Sequence, residues 1–131
     1  MNHRIAILSD IHGDTTALEA VIADARAQGA TEYWLLGDIL LPGPGREDLF
    51  ELLDAIPITA AVRGNWDDCV LEALDGEYGL EDPQEIQLLR LTQYLMEGLD
   101  PKRIDWLRSL PLVEKKEVNG IRFSLTHNLP E

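Results

Sequence analysis

The chain is poor in cysteine, in basic residues and in long apolar runs. Its 131 residues include one cysteine, Cys69, which excludes an internal disulfide and fits a reducing, cytoplasmic setting. Lysine and arginine number 11 against 24 aspartate and glutamate, a formal net charge of −13. A surface that acidic argues against broad nucleic-acid binding, which needs basic residues. It does not exclude phosphate substrates, because divalent cations in a carboxylate-rich site invert the local charge. No apolar run approaches the ~20 residues that cross a bilayer, so no membrane partner is expected. Met1-Asn2-His3-Arg4 leads into only four apolar residues before Ser9, too little for a secretory leader. Neither Gly-x-x-x-x-Gly-Lys-Ser/Thr nor Gly-x-Gly-x-x-Gly occurs, so no phosphate-cradling glycine loop is present. Repeats, low-complexity segments and linkers are missing as well.

What is present reads as one globular domain over 1–131, with 45% apolar residues. Arg4 to Ser9 is a short apolar run bounded by turn residues, the pattern of a buried strand. Thr16 with Glu19 fits a capping box, with Asp14 or Thr15 as alternative caps. Ala17, Leu18, Val21, Ile22 and Ala25 then share one helical face, and Gly29 is the expected stop. Tyr33 to Leu36 and Ile58 to Val62 predict two further strands, with a helix over Leu49, Phe50, Leu52 and Leu53 between them. Leu41-Pro42-Gly43-Pro44-Gly45 must be a loop. The order β-α-β-α-β implies an α/β fold built on a parallel sheet with flanking helices. Residues 68–110 read as helical throughout, with Leu88, Leu91, Leu95 and Leu99 as an apolar stripe that packs on the sheet or on a neighbouring domain. Pro83 and Pro101 stand at helix starts. Leu112 to Val118 and Ile121 to Thr126 flank Asn119-Gly120, a two-residue hairpin signal.

Metal-competent side chains sit where these runs end. Asp10 and His12 follow the first strand, Asp38 the second, Asn65 the third and His127 the last. Each has an ordinary reading on its own: a helix cap for Asp10, a structural imidazole for His12, turn residues for Asp38 and Asn65. Together they would meet on the rim outside the carboxyl ends of a parallel sheet, where ligands bind in open α/β folds. Two carboxylates, a carboxamide and two imidazoles suit Mn, Fe, Zn or Ni rather than a thiolate-selected metal. A carboxylate can bridge two cations, and Asp38, central in order and next to Gly37, is the natural bridge. Two cations ~3.5–4 Å apart would clamp a phosphate and activate a water for in-line displacement.

The same motifs resemble those of the calcineurin-like metallophosphoesterases. Ser9-Asp10-Ile11-His12-Gly13-Asp14 with Ala17-Leu18-Glu19-Ala20-Val21 resembles the family's opening motif and first helix. Leu36-Gly37-Asp38-Ile39, Val62-Arg63-Gly64-Asn65-Trp66-Asp67 and Leu125-Thr126-His127 resemble later motifs, and the likeness runs from about Arg4 to Pro130. The resemblance implies a dimetal phosphoesterase acting on small phosphomonoesters or phosphodiesters, with two divalent ions, manganese foremost. Asp10 and His12 would ligate one ion, Asn65 and His127 the other, and Asp38 both. Asp38, Asn65 and Asp10 are thereby the candidate catalytic residues, around a metal-bridging hydroxide nucleophile. Trp66 stands where many members carry a histidine that acts as general acid, and Asp67 is then left with no catalytic role. Arg63 is expected in a surface salt bridge rather than on phosphate. The family's final Gly-His-x-His motif does not occur. The chain therefore reads as one half of the family's α/β/β/α four-layer sandwich, truncated at the C-terminus, with self-association expected through the apolar faces left open. The competing reading is a non-catalytic metal- or phosphate-binding module.

Overall fold

The computed structural model describes residues 3–128; residues 1, 2 and 129–131 of the expected domain lie outside the described residues. Three four-residue strands, β1 (Ile5–Leu8), β2 (Glu32–Leu35) and β3 (Ile58–Ala61), form a parallel sheet in the order β1-β2-β3. Helix α1 (Thr15–Ala27) joins β1 to β2, and α2 (Glu47–Asp54) joins β2 to β3. Parallel neighbours need such crossovers, because a tight turn can only reverse the chain. The fold is α/β, with a three-stranded parallel sheet and flanking helices.

Local chemistry explains the boundaries. The cap of α1 is Asp14, not Thr16: its carboxylate accepts the Ala17 N–H at 3.0 Å, which leaves Thr15 and Thr16 inside the first turn. Gly29, at φ +81°, ends the helix, with Gly29 N–H bonded to Arg26 C=O and Ala30 N–H to Ala25 C=O. That paired closure needs a left-handed residue after the last turn, which glycine adopts without a Cβ penalty.

The stretch 68–110 is not helical throughout. It divides into α3 (Asn65–Leu74), α4 (Pro83–Glu97) and α5 (Pro101–Ser109). Gly76 at φ +78° leaves the helical region, and Asp82 and Asp100 start new helices by accepting the N–H groups of Gln84 and Lys102. Proline follows each cap at the first helical position, where its missing N–H costs nothing. The final segment is the expected hairpin, β4 (Val113–Val118) and β5 (Ile121–Thr126), antiparallel and separate from the main sheet. Asn119 and Gly120 both have positive φ, as the tight two-residue turn demands.

Side-chain alternation gives the sheet two unlike faces. Tyr33, Leu35 and Ala61 join Leu18, Leu49, Leu95 and others from all five helices in the main core. Trp34, Ala60 and Val62 point the other way and meet Leu125 and Val118 of the hairpin, with Ile5 and Leu36 alongside, and the Trp34 ring stands edge-on to Phe123. Ile7 on that second face is 55% exposed. Of the expected stripe, Leu95 and Leu99 are buried, while Leu88 and Leu91 are half-buried. Among the described residues no helix is long and apolar enough to cross a membrane.

Candidate metal centre

The first three motifs leave the carboxyl ends of β1, β2 and β3 as backbone turns laced to one another. Asp10 N–H bonds to Gly37 C=O, His12 N–H to Asp38 C=O, and Gly13 N–H to Ile39 C=O. Asp10, His12, Asp38 and Leu41 all hold φ between +51° and +58°. A left-handed residue other than glycine costs roughly 1–2 kcal/mol, so this rim stores strain that the packing around it must offset. Gly37 and Gly64 bring two of the turns into contact: a Cβ on Gly37 would stand 2.5 Å from the Gly64 nitrogen, and one on Gly64 would overlap the Asp38 carboxylate.

The other four candidate ligands surround Asp38. Asp10, His12 and Asp38 offer ligand atoms within 4.8 Å of one another. His12 Nε2 lies 3.5 Å from both Asp10 Oδ1 and Asp38 Oδ2. His127 Nε2 lies 3.2 Å from Asp38 Oδ2 and 4.0 Å from Asp10 Oδ1. Turned with its NH2 toward the imidazole, Asn65 donates to His127 Nε2 at 2.9 Å and to both Asp38 oxygens at 3.3 and 3.2 Å.

The imidazoles are oriented by carbonyl groups. His12 Nδ1 donates to Leu41 C=O at 2.9 Å and His127 Nδ1 to Leu36 C=O at 2.7 Å. A carbonyl only accepts, so Nδ1 carries a proton in both rings, and in the neutral form each ring presents its Nε2 lone pair to the Asp38 carboxylate. Lone pairs facing lone pairs repel unless a positive charge lies between them, and this is the usual second-shell arrangement of metal-binding histidines. The donor set therefore fits divalent cations. Asp38 is 3% exposed. Burial pushes its carboxyl above the ordinary value, opposed by the Trp66 N–H and by the positive charge of the two imidazoles in their protonated form, with Asp10 adding a smaller upward push.

Trp66 donates its backbone N–H to Asp38 Oδ1 at 2.9 Å, and its indole packs edge-on against the His12 ring at 5.8 Å. It is a wall of the site that brings no acid. Arg63 makes the expected salt bridge, to Asp68, and also donates to Leu110 C=O at 2.7 Å. Asp67 was invisible as a contributor: it is fully buried and accepts three backbone N–H groups from the turns beneath the site. Its place three residues past the Gly64 cap, where an acidic side chain reaches back to the cap N–H, is the signal that points to it. Beside Asp10 and His12 opens a cleft of about 600 Å³, walled by Ile7, Val21, Pro42 and Pro44.

Carboxylates and imidazoles gathered at the strand ends of a parallel sheet make a candidate site for divalent cations, and sequence comparison names the family. The calcineurin-like phosphoesterase family model matches residues 3–130, and the chain belongs to that family. It is 30% identical to the uncharacterised protein MJ0912 of Methanocaldococcus jannaschii, over 97% of this chain and 50% of that one. The crystal structure of a metallophosphoesterase from Sphaerobacter thermophilus is similar at TM-score 0.63 and 32% identity, covering 87% of this chain and 44% of that one. A hypothetical protein, PH1004 of Pyrococcus horikoshii, shares the fold at TM-score 0.66 and 21% identity, covering 94% of this chain and 54% of its own. The chain thus spans about half the length of the relatives it matches.

Proposed function

We propose that this chain supplies a dimetal phosphoesterase site acting on small phosphomonoesters or phosphodiesters. Asp10 and His12 hold one divalent cation, Asn65 and His127 the other, and Asp38 is shared. The observation that carries this reading is the pair of Nδ1-anchored imidazoles whose Nε2 atoms both face one buried carboxylate. When bound, the cations supply charge neutralisation for the phosphate and acidify the attacking water. The chain's own residues do the rest. The laced turns fix the ligand spacing, Trp66 shields one side of His12, and the Leu41 and Leu36 carbonyls hold the imidazole tautomers. Oxygen and imidazole donors admit manganese, iron, zinc or nickel, and manganese is our choice. The cleft walled by Ile7, Val21, Pro42 and Pro44 is the space for the substituent on the phosphate.

Equilibrium dialysis against Mn²⁺, with hydrolysis of p-nitrophenyl phosphate and its bis ester, tests the reading. Two ions per chain and turnover lost in Asp38→Asn are expected. Two ions without turnover of any phosphate ester would instead support a binding module. No bound ion would end the dimetal reading for this chain.

A further inference from the structure

Asp67 carries a carboxylate into the interior that the ligand set does not use. It is fully buried, and each of its three hydrogen bonds, all at 2.9 Å, goes to a backbone amide. Oδ2 accepts from Asp38 and Gly64, and Oδ1 from Ile39. Asp38 and Ile39 belong to the turn after β2, whereas Gly64 opens the turn that carries Asn65. An ionised carboxylate is acceptor-only, and charge-assisted bonds of this kind are roughly twice as strong as neutral ones. A cost comes with them: burial drives the carboxyl pKa up, against the pull of the three amides. A buried charge with no cationic partner among the described residues is expensive unless its bonds do something the fold needs.

We infer that Asp67 is a positioning residue, a clip that fixes the Asp38 turn against the Asn65 turn and so sets the spacing of the two cation sites. The two turns carry the shared ligand and a ligand of one site only, so their relative placement decides whether both ions fit. The inference rests on the dimetal reading for what the turns hold, while the clip itself is independent of any ion. The turns also meet where Gly37 approaches Gly64 and where the Trp66 N–H donates to Asp38 Oδ1, but Asp67 is the side chain that binds backbone amides of both. Asparagine at 67 keeps the shape but turns an NH2 toward at least one amide N–H, so the clip loses a bond and gains a repulsion.

Amide hydrogen exchange and Mn²⁺ dialysis on Asp67→Asn, with Leu53→Ala as a core control, test this. In the wild-type chain without metal, the amides of Asp38, Ile39 and Gly64 are expected to be protected and to exchange through one common opening. In Asp67→Asn they should lose protection together by at least tenfold. The Mn²⁺ affinity of both sites should fall at least tenfold as well. Leu53→Ala, chosen to lower the melting temperature as much, should hold Mn²⁺ affinity within twofold. Unprotected or independently exchanging amides in the wild type would overturn the clip even if the variant failed to fold. Retained affinity in Asp67→Asn, or equal loss in Leu53→Ala, would overturn its positioning role. A wild type with protected amides and no bound Mn²⁺ would break the dimetal reading and the positioning role with it, but leave the clip standing.

Discussion

The two edges of the three-stranded sheet are finished differently. On the β3 side the outward backbone groups are covered by side chains: Glu114 accepts the Ala61 N–H at 3.0 Å, and Lys116 donates to Thr59 C=O at 3.1 Å. Arg63 then ties the end of that strand to the α5–β4 junction, bonding Leu110 C=O from its side chain and Pro111 C=O from its backbone. His127, seated on this side, has a side chain only 10% exposed. On the β1 side there is no charge on the strand and no bulge, and Ile7 is 55% exposed with Val21 at 44% nearby. Asp10, the proposed ligand on this side, has a side chain 55% exposed. Charges and covers on an edge strand prevent pairing with another chain, and a bare apolar edge invites it. The difference teaches that the β3 half of the rim is covered by other parts of this chain, while the β1 half is open.

Asp38 is common to both halves, so its replacement should do the most damage. Asp38→Asn is expected to weaken Mn²⁺ at both sites by more than the ~10–100-fold that loss of an outer partner costs. Calorimetric titration would read it, and survival of either site at wild-type affinity would disprove the sharing. The imidazoles sharpen the comparison. His12→Ala should remove the ion on the open side and leave one, whereas His127→Ala should remove the ion on the closed side and also loosen the Asn65 amide it contacts. Loss of both ions in each variant would mean the two sites form only together.

Next in size is the edge itself. Ile7→Lys places a charge on the bare strand and should shift any self-association toward monomer, by sedimentation velocity at high protein concentration. Removing the covers on the other side, with Glu114→Ala and Lys116→Ala together, should promote association. No change in either variant would mean that edge chemistry does not govern association.

Much of this was legible in the sequence. The three parallel strands are short apolar runs that each stop at a turn residue, and Asp10, His12, Asp38 and Asn65 fall at those stops, so their arrival on one rim follows from topology, whereas His127 is brought in by the separate hairpin. The cap of α1 was ambiguous because Asp14, Thr15 and Thr16 are all competent, and only the backbone at 14 decides among them. The helix predicted across 68–110 failed at 75–82 because apolar periodicity on either side masks a local break at Gly76. Asp67 could not be read as a clip, since its role depends on which amides the folded turns leave unpaired. The carbonyl partners of His12 and His127 lie 29 and 91 residues away, beyond any local pattern.

The smallest effect belongs to a contact far from the rim that fastens α5 to α2 and thereby backs the closed side. Arg103 donates to Glu47 and to Asp54 and lies over the Phe50 ring at 5.1 Å. The guanidinium holds both carboxyls below their ordinary values. A depressed folded-state pKa means the stabilisation is complete above the unfolded value of about 4 and is lost as pH falls through the folded one. Solvent reaches these groups, the Asp54 side chain being 57% exposed, so the ionic part is worth only about 1 kcal/mol. Arg103→Met should therefore lower the melting temperature at pH 7 by a few degrees, and the gap to wild type should narrow on acidification and in high salt. It should not close fully, because packing on Phe50 is insensitive to pH. A gap that stays constant from pH 7 to pH 3 would show that Arg103 acts by packing alone.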